Sequence, residues 1–348
     1  MLEWKRLGEV ANLVRGKVIS KDYIRDHAGE YPVFSSQTAN EGVFGCIDSY
    51  MFDGDYLTWT TDGAYAGTIF RRSGKFNITN VCGLIDITDE NVNQDYLYYW
   101  LSIVAKSYVV EGMGNPKLMS NVASTIQIPV PSIAEQHRIV GILDTFTAAI
   151  DNLKQQIEQR RKQYEYYRDQ LLDLEGKEGV EMKLRDFCLL KAGKSVSANE
   201  ITDDSDGNYP CYGGNGIRGY VSCFSHEGDY PIIGRQGALC GCVCWANNKF
   251  YATEHAVVAT GKDFMSQRFL FHMFQYANLN QYKTQGAQPG LSVSKLNEVV
   301  FKIPSLADQS RIVGILDTFE VSIANLEQQL EMRQKQYEYY RNQLLTFE

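Results

Sequence analysis

Three polar loops in each half of the chain carry side chains suited to binding the edges of nucleic-acid bases. Asn, Gln and Arg offer paired donors and acceptors that match base edges, and small neighbours permit a close backbone approach. Lys and Arg beside them can contact phosphates. The candidate DNA-binding residues are Ser35, Ser36, Gln37, Thr38, Asn40, Thr60, Thr61, Arg71, Arg72, Lys75, Asn115 and Lys117 in the first half, and Asn215, Arg218, Arg235, Gln236, Lys249, Gln285 and Gln288 in the second.

Two interpretations of these loops stay open for any single residue. A polar loop residue can simply be part of the solvated surface. The three loops nevertheless lie at equivalent places in the two halves while their side chains differ. This favours a protein that binds an asymmetric target in two parts.

Motifs for enzymatic chemistry are incomplete. Gly193-Lys194-Ser195 is the tail of a phosphate-binding P-loop, but that motif requires a glycine where Cys188 stands. The stretch 214–219 formally matches G-x-G-x-x-G, yet no helix is expected to begin inside it, which favours an ordinary loop. The five histidines are scattered, and the Asp/Asn-Pro-Pro-aromatic motif of amino-methyltransferases does not occur. We therefore predict a protein that is not an enzyme.

The cysteines favour packing over metal binding. Eight cysteines in 348 residues are too dilute for a disulfide framework, which fits free thiols in a reducing cytosol. Cys240, Cys242 and Cys244 are expected to place three small side chains on one face of a strand. Structural zinc sites show a different spacing, with a second cysteine pair further along the chain. We predict no metal site.

The charge balance limits the classes of partner. Lys and Arg total 34 against 42 Asp and Glu, a formal net charge of −8, which argues against a protein that coats nucleic acid by bulk charge. Residues 1–10 lack the apolar core of a signal peptide. No uncharged apolar run approaches the roughly 20 residues that span a bilayer. We expect a soluble, cytoplasmic protein with no membrane partner.

An internal repeat with an offset of 173 residues organises the chain. Residues 131–175 and 304–348 align without a gap, and 31 of the 45 positions are identical. The rest of each half matches loosely, as in Tyr31-Pro32 and Tyr209-Pro210. Near-constant segments therefore alternate with divergent ones.

The near-constant segments are expected to form long helices. Ser132 and Ser305 can cap the first free amides, and Glu135 or Asp308 completes a pattern like a capping box. Apolar residues then follow a 4-3 spacing, which predicts an antiparallel coiled coil with one arginine at a core position of each helix, where it can fix register or partner. The predicted seam residues are Leu143, Phe146, Ile150, Leu153, Ile157, Arg160, Tyr164, Leu316, Phe319, Ile323, Leu326, Leu330, Arg333 and Tyr337.

These features predict an α+β fold, with two pseudo-twofold-related β-rich globular domains joined by the two long helices. Short runs of β-branched and aromatic residues between Gly, Asn, Asp and Ser clusters predict the strands. The predicted parts are domains at 1–130 and 177–303 and helical segments at 131–176 and 304–348.

This organisation resembles the specificity subunit of type I restriction-modification systems, over the whole chain. The segment from Pro131 to Gln136 is similar to the family's P-x-x-x-E-Q signature, and the second copy from Pro304 to Gln309 has Asp308 in place of Glu. The resemblance implies that each domain reads one half of a bipartite DNA site through the major groove, while the helix pair sets the gap between the halves.

The resemblance also implies the partners and cofactors. Two modification subunits, which carry S-adenosylmethionine and methylate adenine, would dock on this chain, and restriction subunits would add translocation and cleavage driven by ATP with Mg. No cofactor is expected in this chain itself. A coiled-coil adaptor with two protein- or carbohydrate-binding domains is the alternative, and an enzyme with an unrecognised motif is a third possibility.

Overall fold

The computed structural model describes residues 2–111, 114–237, 239–284 and 289–347. The chain forms two compact units, of which the first comprises Met1–Asn152 with Glu331–Glu348 and the second comprises Leu153–Leu330. Each unit therefore contains one β-rich domain and a part of both long helices. The two are described separately below.

In the first unit, two four-stranded sheets and one two-stranded sheet are present within the described residues. Their strand orders are β2-β9-β6-β7, β4-β3-β8-β5 and β1-β10. Neighbouring strands are antiparallel except for β3 and β8, which are parallel. The strands are β1 (Glu3–Arg6), β2 (Ala11–Arg15), β3 (Ala28–Phe34), β4 (Val43–Ile47), β5 (Phe52–Asp53), β6 (Tyr56–Thr60), β7 (Ile69–Arg72), β8 (Lys75–Ile78), β9 (Cys82–Ile87) and β10 (Gln127–Val130).

Both faces of strand β9 are covered, which explains its buried apolar residues from Cys82 to Ile85. Successive strand residues point to opposite faces, so Leu84 packs with Phe34 and Phe76 of the second sheet, while Ile85 packs with the aromatic helix α3. The α-helices of this unit are α1 (Leu7–Val10), α2 (Lys21–Asp26), α3 (Gln94–Val104), α4 (Ser120–Ala123), the first part of α5 (Ile133–Leu172) and the last part of α9 (Leu306–Leu344).

The second unit repeats this topology strand for strand. Its sheets have the orders β12-β19-β16-β17, β14-β13-β18-β15 and β11-β20, with one parallel pair, β13 and β18. The strands are β11 (Val180–Lys183), β12 (Cys188–Ala192), β13 (Tyr209–Gly213), β14 (Gly216–Val221), β15 (His226–Glu227), β16 (Tyr230–Gly234), β17 (Val243–Ala246), β18 (Lys249–Ala252), β19 (Ala256–Gly261) and β20 (Val300–Ile303). The α-helices of this unit are the last part of α5, α6 (Leu184–Phe187), α7 (Gln267–Tyr276), α8 (Val293–Leu296) and the first part of α9 (Leu306–Leu344).

The two long helices pair with each other inside each unit. In the second unit, Tyr167 stacks on Phe319 with 5.4 Å between ring centroids, and Arg161 forms an ion pair with Glu327. The earlier residue of α5, Arg161, contacts the later residue of α9, Glu327, so the two segments run antiparallel. In the first unit, Phe146 stacks on Tyr340 at 5.3 Å, which is the repeat-equivalent contact.

The seam follows the predicted spacing, with one difference at the arginines. Leu143, Ile150, Ile157 and Leu316 are buried. The remaining seam residues are half-buried, namely Phe146, Leu153, Arg160, Tyr164, Phe319, Ile323, Leu326, Leu330 and Tyr337, whereas Arg333 is exposed. The arginines are not packed in the core, because the guanidinium stays near water above an aromatic ring. Arg160 lies 5.8 Å from the Phe319 ring, and Arg333 lies 5.8 Å from the Phe146 ring.

A buried glutamine fixes the start of each long helix. The side-chain oxygen of Gln136 accepts from the Asn93 amide at 2.8 Å, and its amide donates to the carbonyls of Asn91 and Pro131. Asn93 is itself the N-cap of α3. This clamp therefore ties α5 to the helix that covers the sheet.

Gln309 repeats the clamp on the second unit. It accepts from the amide of Ser266, the N-cap of α7, at 2.9 Å, and it donates to the carbonyls of Phe264 and Pro304. Gln136 and Gln309 are the last residues of the two signature segments. Both signature segments thus have a structural role that their sequence did not reveal.

The predicted serines cap the N-termini of the two long helices. Ser132 accepts from the Glu135 amide at 3.4 Å, and Ser305 accepts from the Asp308 amide at 3.2 Å. The reciprocal half of the capping box differs, because the Glu135 carboxylate binds Arg138 and the Asp308 carboxylate accepts from the Ser305 hydroxyl.

The cysteine prediction is partly wrong. All eight cysteines are free thiols. Only Cys244 lies in strand β17, because Gly241, with φ of 92°, turns the chain between Cys240 and Cys242. Cys240 is buried while Cys242 is exposed, so the three do not share a strand face. Across the described ranges, no group of three or more His, Cys, Asp or Glu residues is placed to hold a metal ion.

No helix within the described residues is both long enough and apolar enough to cross a membrane.

Candidate nucleic-acid interface

The loop after β6 and the loop after β16 share one backbone structure. Gly63 and Gly237 both have positive φ, 92° and 94°, and both donate to a proline carbonyl at 3.0 Å, that of Pro116 or Pro289. The amides of the later glycines, Gly67 and Gly241, return to the carbonyls of Thr60 and Gly234 at 2.9 and 2.8 Å. The scaffold of the loop is thus the same in both units.

We use the term interface loops for four segments that meet at this end of each sheet. Within the described residues they are 35–42, 60–68, 79–81 and 110–111 with 114–118 in the first unit, and 213–216, 234–237 with 239–242, 253–255 and 284 with 289–291 in the second. Hydrogen bonds join the first-unit loops, including Thr61 N–H to Val81 O at 3.1 Å and Leu118 N–H to Thr61 O at 2.9 Å. The matching bonds in the second unit are Arg235 N–H to His255 O and Leu291 N–H to Arg235 O, both at 2.8 Å.

Charged groups in the first unit are paired with each other. The carboxylate of Asp62 lies 3.8 Å from Arg15 and 3.6 Å from Lys117. Arg15 also donates to the Asn80 carbonyl. Of these residues, the sequence pattern pointed only to Lys117, because Arg15 and Asp62 become neighbours through the sheet and not through the chain.

The first polar loop, 35–42, is partly engaged within the fold. The Ser35 hydroxyl accepts from Thr79 at 3.1 Å, and the Gln37 side chain donates to the Val43 carbonyl. Ser36 and Thr38 are half-buried. Asn40 is exposed in the left-handed conformation, with φ of 49°. Asn40 is therefore the residue of this loop best placed to contact a ligand.

Four predicted residues of the first unit are engaged in the fold. Thr60 and Thr61 are buried, with the Thr60 hydroxyl bound to the Tyr65 carbonyl and that of Thr61 to Asp62. Arg71 pairs with Asp95 at 2.8 Å and lies over the Tyr98 ring. The Arg71 contacts join the sheet to helix α3, and those of Thr60 and Thr61 lie within their own loop, so we do not include the three residues in the proposed interface.

Arg72 is the fourth, and it is buried between aromatic rings. Its guanidinium lies 3.6 Å from the Phe34 ring centroid and 4.4 Å from that of Phe70. It donates to the Thr58 hydroxyl at 3.2 Å. Burial lowers the pKa of Arg72 to about 10, because desolvation disfavours the charged form. Arg72 is not exposed for a phosphate.

The second unit has an open cavity where the first unit has a longer loop. Only Gly214 and Asn215 connect β13 to β14, against the eight residues 35–42 that connect β3 to β4 in the first unit. The cavity has a volume of about 550 Å³. Its lining residues are Gly213, Gly214, Asn215, Gly216, Ile217, Arg218, Gln236, Gly237 and His255.

Three predicted residues meet at this cavity. Asn215, Arg218 and Gln236 are all exposed, and among described residues no carboxylate lies within ion-pair distance of Arg218. Glycine walls leave the backbone open to close approach. His255, which the sequence pattern did not single out, completes the lining. The signal that could have found it is its equivalence to Val81 across the repeat, a difference at a shared loop position.

Of the remaining predicted residues in the described ranges, Arg235 and Asn115 lie in these loops, whereas Lys75 and Lys249 are the first residues of β8 and β18, at the strand ends away from loops 79–81 and 253–255. Arg235 is half-buried and Asn115 is exposed, each within an interface loop. Gln285 and Gln288 fall outside the described residues. Lys75 and Lys249 occupy equivalent strand positions, and each lies over an aromatic ring, at 4.6 Å from Tyr50 and 4.7 Å from Phe224.

The fold and its paired interface loops define a two-domain protein that presents different polar side chains on one repeated scaffold. Comparison with known proteins gives the family. Residues 1–160 and 177–332 match the family model described as the type I restriction modification DNA specificity domain.

Individual relatives agree with this match. The chain is 30% identical over 356 residues to a putative type I specificity subunit of Mycoplasma pneumoniae, covering 98% of this chain and 97% of the relative. It is 45% identical over 200 residues to the specificity subunit of the type I restriction enzyme EcoprrI of Escherichia coli, covering 55% of this chain and 50% of that subunit.

A solved structure supports the fold alone. The crystal structure of the type I restriction-modification S subunit from M. genitalium superposes with a TM-score of 0.74 at 17% identity, covering 100% of this chain and 97% of that one. The α+β prediction is confirmed. The chain belongs to the family of type I restriction-modification DNA specificity subunits, and the specificity hypothesis is preferred over the adaptor.

Proposed function

We propose that this chain selects the target of a type I restriction-modification complex by binding two different half-sites of double-stranded DNA, one with each β-rich domain. The observation that carries the proposal is the shared backbone of the interface loops combined with different side chains. Asp62 stands where the other unit has Gln236, and Val81 stands where it has His255. A common scaffold with different contacts suits an asymmetric, bipartite sequence.

The proposed readers are the exposed residues of these loops. In the second unit Asn215, Arg218, Arg235 and Gln236 carry groups that match base edges, and arginine in particular matches guanine. In the first unit Asn40, Asn115 and Lys117 are the exposed or half-exposed candidates. Major-groove contact by these side chains is the simplest way for the loops to distinguish base pairs.

The long helices are the proposed spacer and docking surface. A continuous helix of 40 residues, the length of α5, is about 60 Å long. Tyr166 and Tyr339 occupy equivalent positions and are 62% and 58% exposed. Exposed tyrosines are typical anchors of protein interfaces, so these two fit the docking of two modification subunits.

The chemistry is proposed to belong to the partners. The modification subunits bind S-adenosylmethionine, and the restriction subunits use ATP with Mg for translocation and cleavage. This chain then contributes specificity and assembly without a catalytic group, and it acts in the cytoplasm, where the DNA and the partner subunits are.

Sequencing of methylated adenines in cells that express the complex tests the proposal. Replacement of residues 1–130 with the equivalent domain of another specificity subunit is expected to change one half of the methylated sequence and to leave the other half unchanged. A change in both halves, or in neither, contradicts the assignment of one half-site to each domain.

The same measurement tests the spacer. Insertion of four residues after Asn152 and four after Leu330 lengthens each helix by about 6 Å, close to two base pairs. The gap between the methylated half-sites is expected to grow, whereas an insertion in one helix alone mismatches the seam and serves as a control. An unchanged gap in the double insertion refutes the spacer.

A further inference from the structure

Both units contain a Gly-Lys pair directly after the second strand of the chain in that unit, β2 or β12. Gly16-Lys17 follows β2, and Gly193-Lys194 follows β12. A Cβ atom at Gly16 would lie 2.1 Å from the Ile78 carbonyl oxygen, and one at Gly193 would lie 2.0 Å from the Ala252 carbonyl oxygen. These distances exclude any side chain, so only glycine fits at either position.

The backbone of the lysine that follows each glycine is held in position by hydrogen bonding to the neighbouring segment of the chain. Lys17 forms a parallel β-bridge with Thr79, and the Lys194 amide donates to the Ala252 carbonyl at 3.0 Å. Thr79 belongs to an interface loop, and its hydroxyl donates to Ser35 of another. Each lysine is therefore anchored through its backbone at the edge of the interface loops.

The two lysines are also free of internal partners. Both are exposed, and within the described ranges neither has a carboxylate within ion-pair distance. Other cations of the first unit differ in this respect, because Arg15 and Lys117 are paired with Asp62, and Lys75 lies over the Tyr50 ring. A solvated lysine without a carboxylate partner can bind an anion without first breaking an internal ion pair.

We propose that Lys17 and Lys194 bind DNA backbone phosphates, one in each domain, independently of base sequence; this rests on the proposed DNA-binding function. The residues around them differ between the units, as expected of groups that discriminate bases. The Gly-Lys pair is the same in both, as expected of a group that binds what every half-site shares. Phosphate contacts fix the register of a protein on the duplex, whereas base contacts specify the sequence.

The test is the salt dependence of DNA binding by the assembled modification complex. The variants are K17Q, K194Q and the double variant, which remove the charge and keep most of the side chain. K302Q is the matched control, since Lys302 lies in β20, outside the interface loops, and has no ion pair among described residues. Affinity is measured by titration of two fluorescent duplexes, one containing the sequence that the complex methylates and one containing a scrambled sequence.

Each lysine substitution is expected to reduce the slope of log K against log salt by about 0.9, and the double variant by about twice that. Affinity for both duplexes falls by the same factor, so their ratio is unchanged. K302Q is expected to match the unmodified complex.

Three results are distinguishable. If the unmodified complex binds its target but K17Q and K194Q behave as K302Q does, the phosphate contact is wrong and the proposed function stands. If only target affinity falls, the lysines discriminate bases and the proposal is overturned. If the unmodified complex does not prefer its target, the proposed function itself fails.

Discussion

The two β-rich domains have the same strand orders but meet solvent differently at their interface loops. In the first unit Asp62 forms ion pairs with Arg15 and Lys117, and an eight-residue loop connects β3 to β4. In the second unit Gln236, with no charge, stands at the same loop position, and a two-residue connection between β13 and β14 leaves a cavity with Arg218 among its lining residues. The matching residues hold the fold, and the differing residues give each unit its own chemistry.

The contacts between each domain and its helices are also of two kinds, some shared by the two units and some different. The clamps at Gln136 and Gln309 make the same three main-chain hydrogen bonds in the two units. The aspartates Asp144 and Asp317 are also equivalent, but the first accepts from Tyr99 and the second lies against His272. Shared positions therefore predict equal effects of mutation in the two units, and differing positions predict unequal ones.

The largest expected effect is on stability, from the clamps. Replacement of Gln136 with Leu leaves the Asn93 amide and two carbonyls without partners inside the protein, and an unpaired buried polar group costs about 1–3 kcal/mol. We expect Q136L to lower the free energy of unfolding by about 3 kcal/mol, measured by chemical denaturation followed by circular dichroism. Q309L is expected to cost the same.

Q159L is the control, because Gln159 is exposed on the same helix, and it is expected to change stability by less than about 0.5 kcal/mol. A Q136L protein as stable as Q159L shows that the clamp is not required. Clearly different costs for Q136L and Q309L show that the two units are not equivalent at their shared positions.

The second effect is on DNA affinity, from Arg218. The equivalent position in the first unit is Phe44, so this arginine belongs to the second unit alone. R218A is expected to weaken target binding by the assembled complex by about 1–3 kcal/mol, if the guanidinium holds a guanine edge. Binding to a scrambled duplex is expected to change less.

R185A is the control for Arg218, because Arg185 is exposed in the same unit and is paired with Glu298, away from the interface loops. If R218A lowers affinity for the target and for the scrambled duplex equally, Arg218 contacts a phosphate and not a base. If R218A lowers affinity for neither duplex, the cavity is not part of the DNA interface.

The sequence predicted the features that depend on local pattern. The 4-3 spacing located the buried seam residues Leu143, Ile150 and Leu316, and the repeat located the loops. The sequence did not distinguish Thr60 and Arg72, which are buried, from Asn40, which is exposed. Exposure of these side chains depends on the direction in which each one points after the sheets form.

Contacts across the sheet were equally hidden. Arg15 and Asp62 lie on different strands and loops, and only the pairing of β2 with β9 and of β9 with β6 brings them together. The signature glutamines were visible as a motif, yet their partners, the N-caps of α3 and α7, are distant in sequence. Such long-range partners require the tertiary fold.

The smallest expected effect is on the pH dependence of stability, from His272. The imidazole is buried, with Nε2 2.9 Å from Asp317 and Nδ1 3.4 Å from the Tyr164 hydroxyl, and Arg268 and Glu320 also face this group. Burial lowers the pKa of His272 below its ordinary value of 6.5, since desolvation disfavours the imidazolium. The neutral form is therefore the one that the fold favours.

The sign follows from proton binding. Below about pH 6.5 the unfolded chain takes up a proton on this histidine more readily than the folded chain does, so the stability contributed by the neutral imidazole is complete above that pH and is lost as the pH falls. H272Y installs the tyrosine that the first unit has at this position, and a phenol does not titrate in this range. We expect the unmodified chain to lose more stability than H272Y between about pH 7.5 and about pH 5.5, by at most about 1.4 kcal/mol per pH unit.

Comparison of pH slopes, rather than of absolute stabilities, keeps this test informative if the larger tyrosine packs less well. Y99F is the matched variant in the first unit, where it removes the hydrogen bond to Asp144 without changing a group that titrates near neutral pH. Its pH slope should equal that of the unmodified chain. Equal slopes in H272Y and the unmodified chain mean that His272 does not titrate differently on folding, and the two helix contacts are then equivalent in their response to acid.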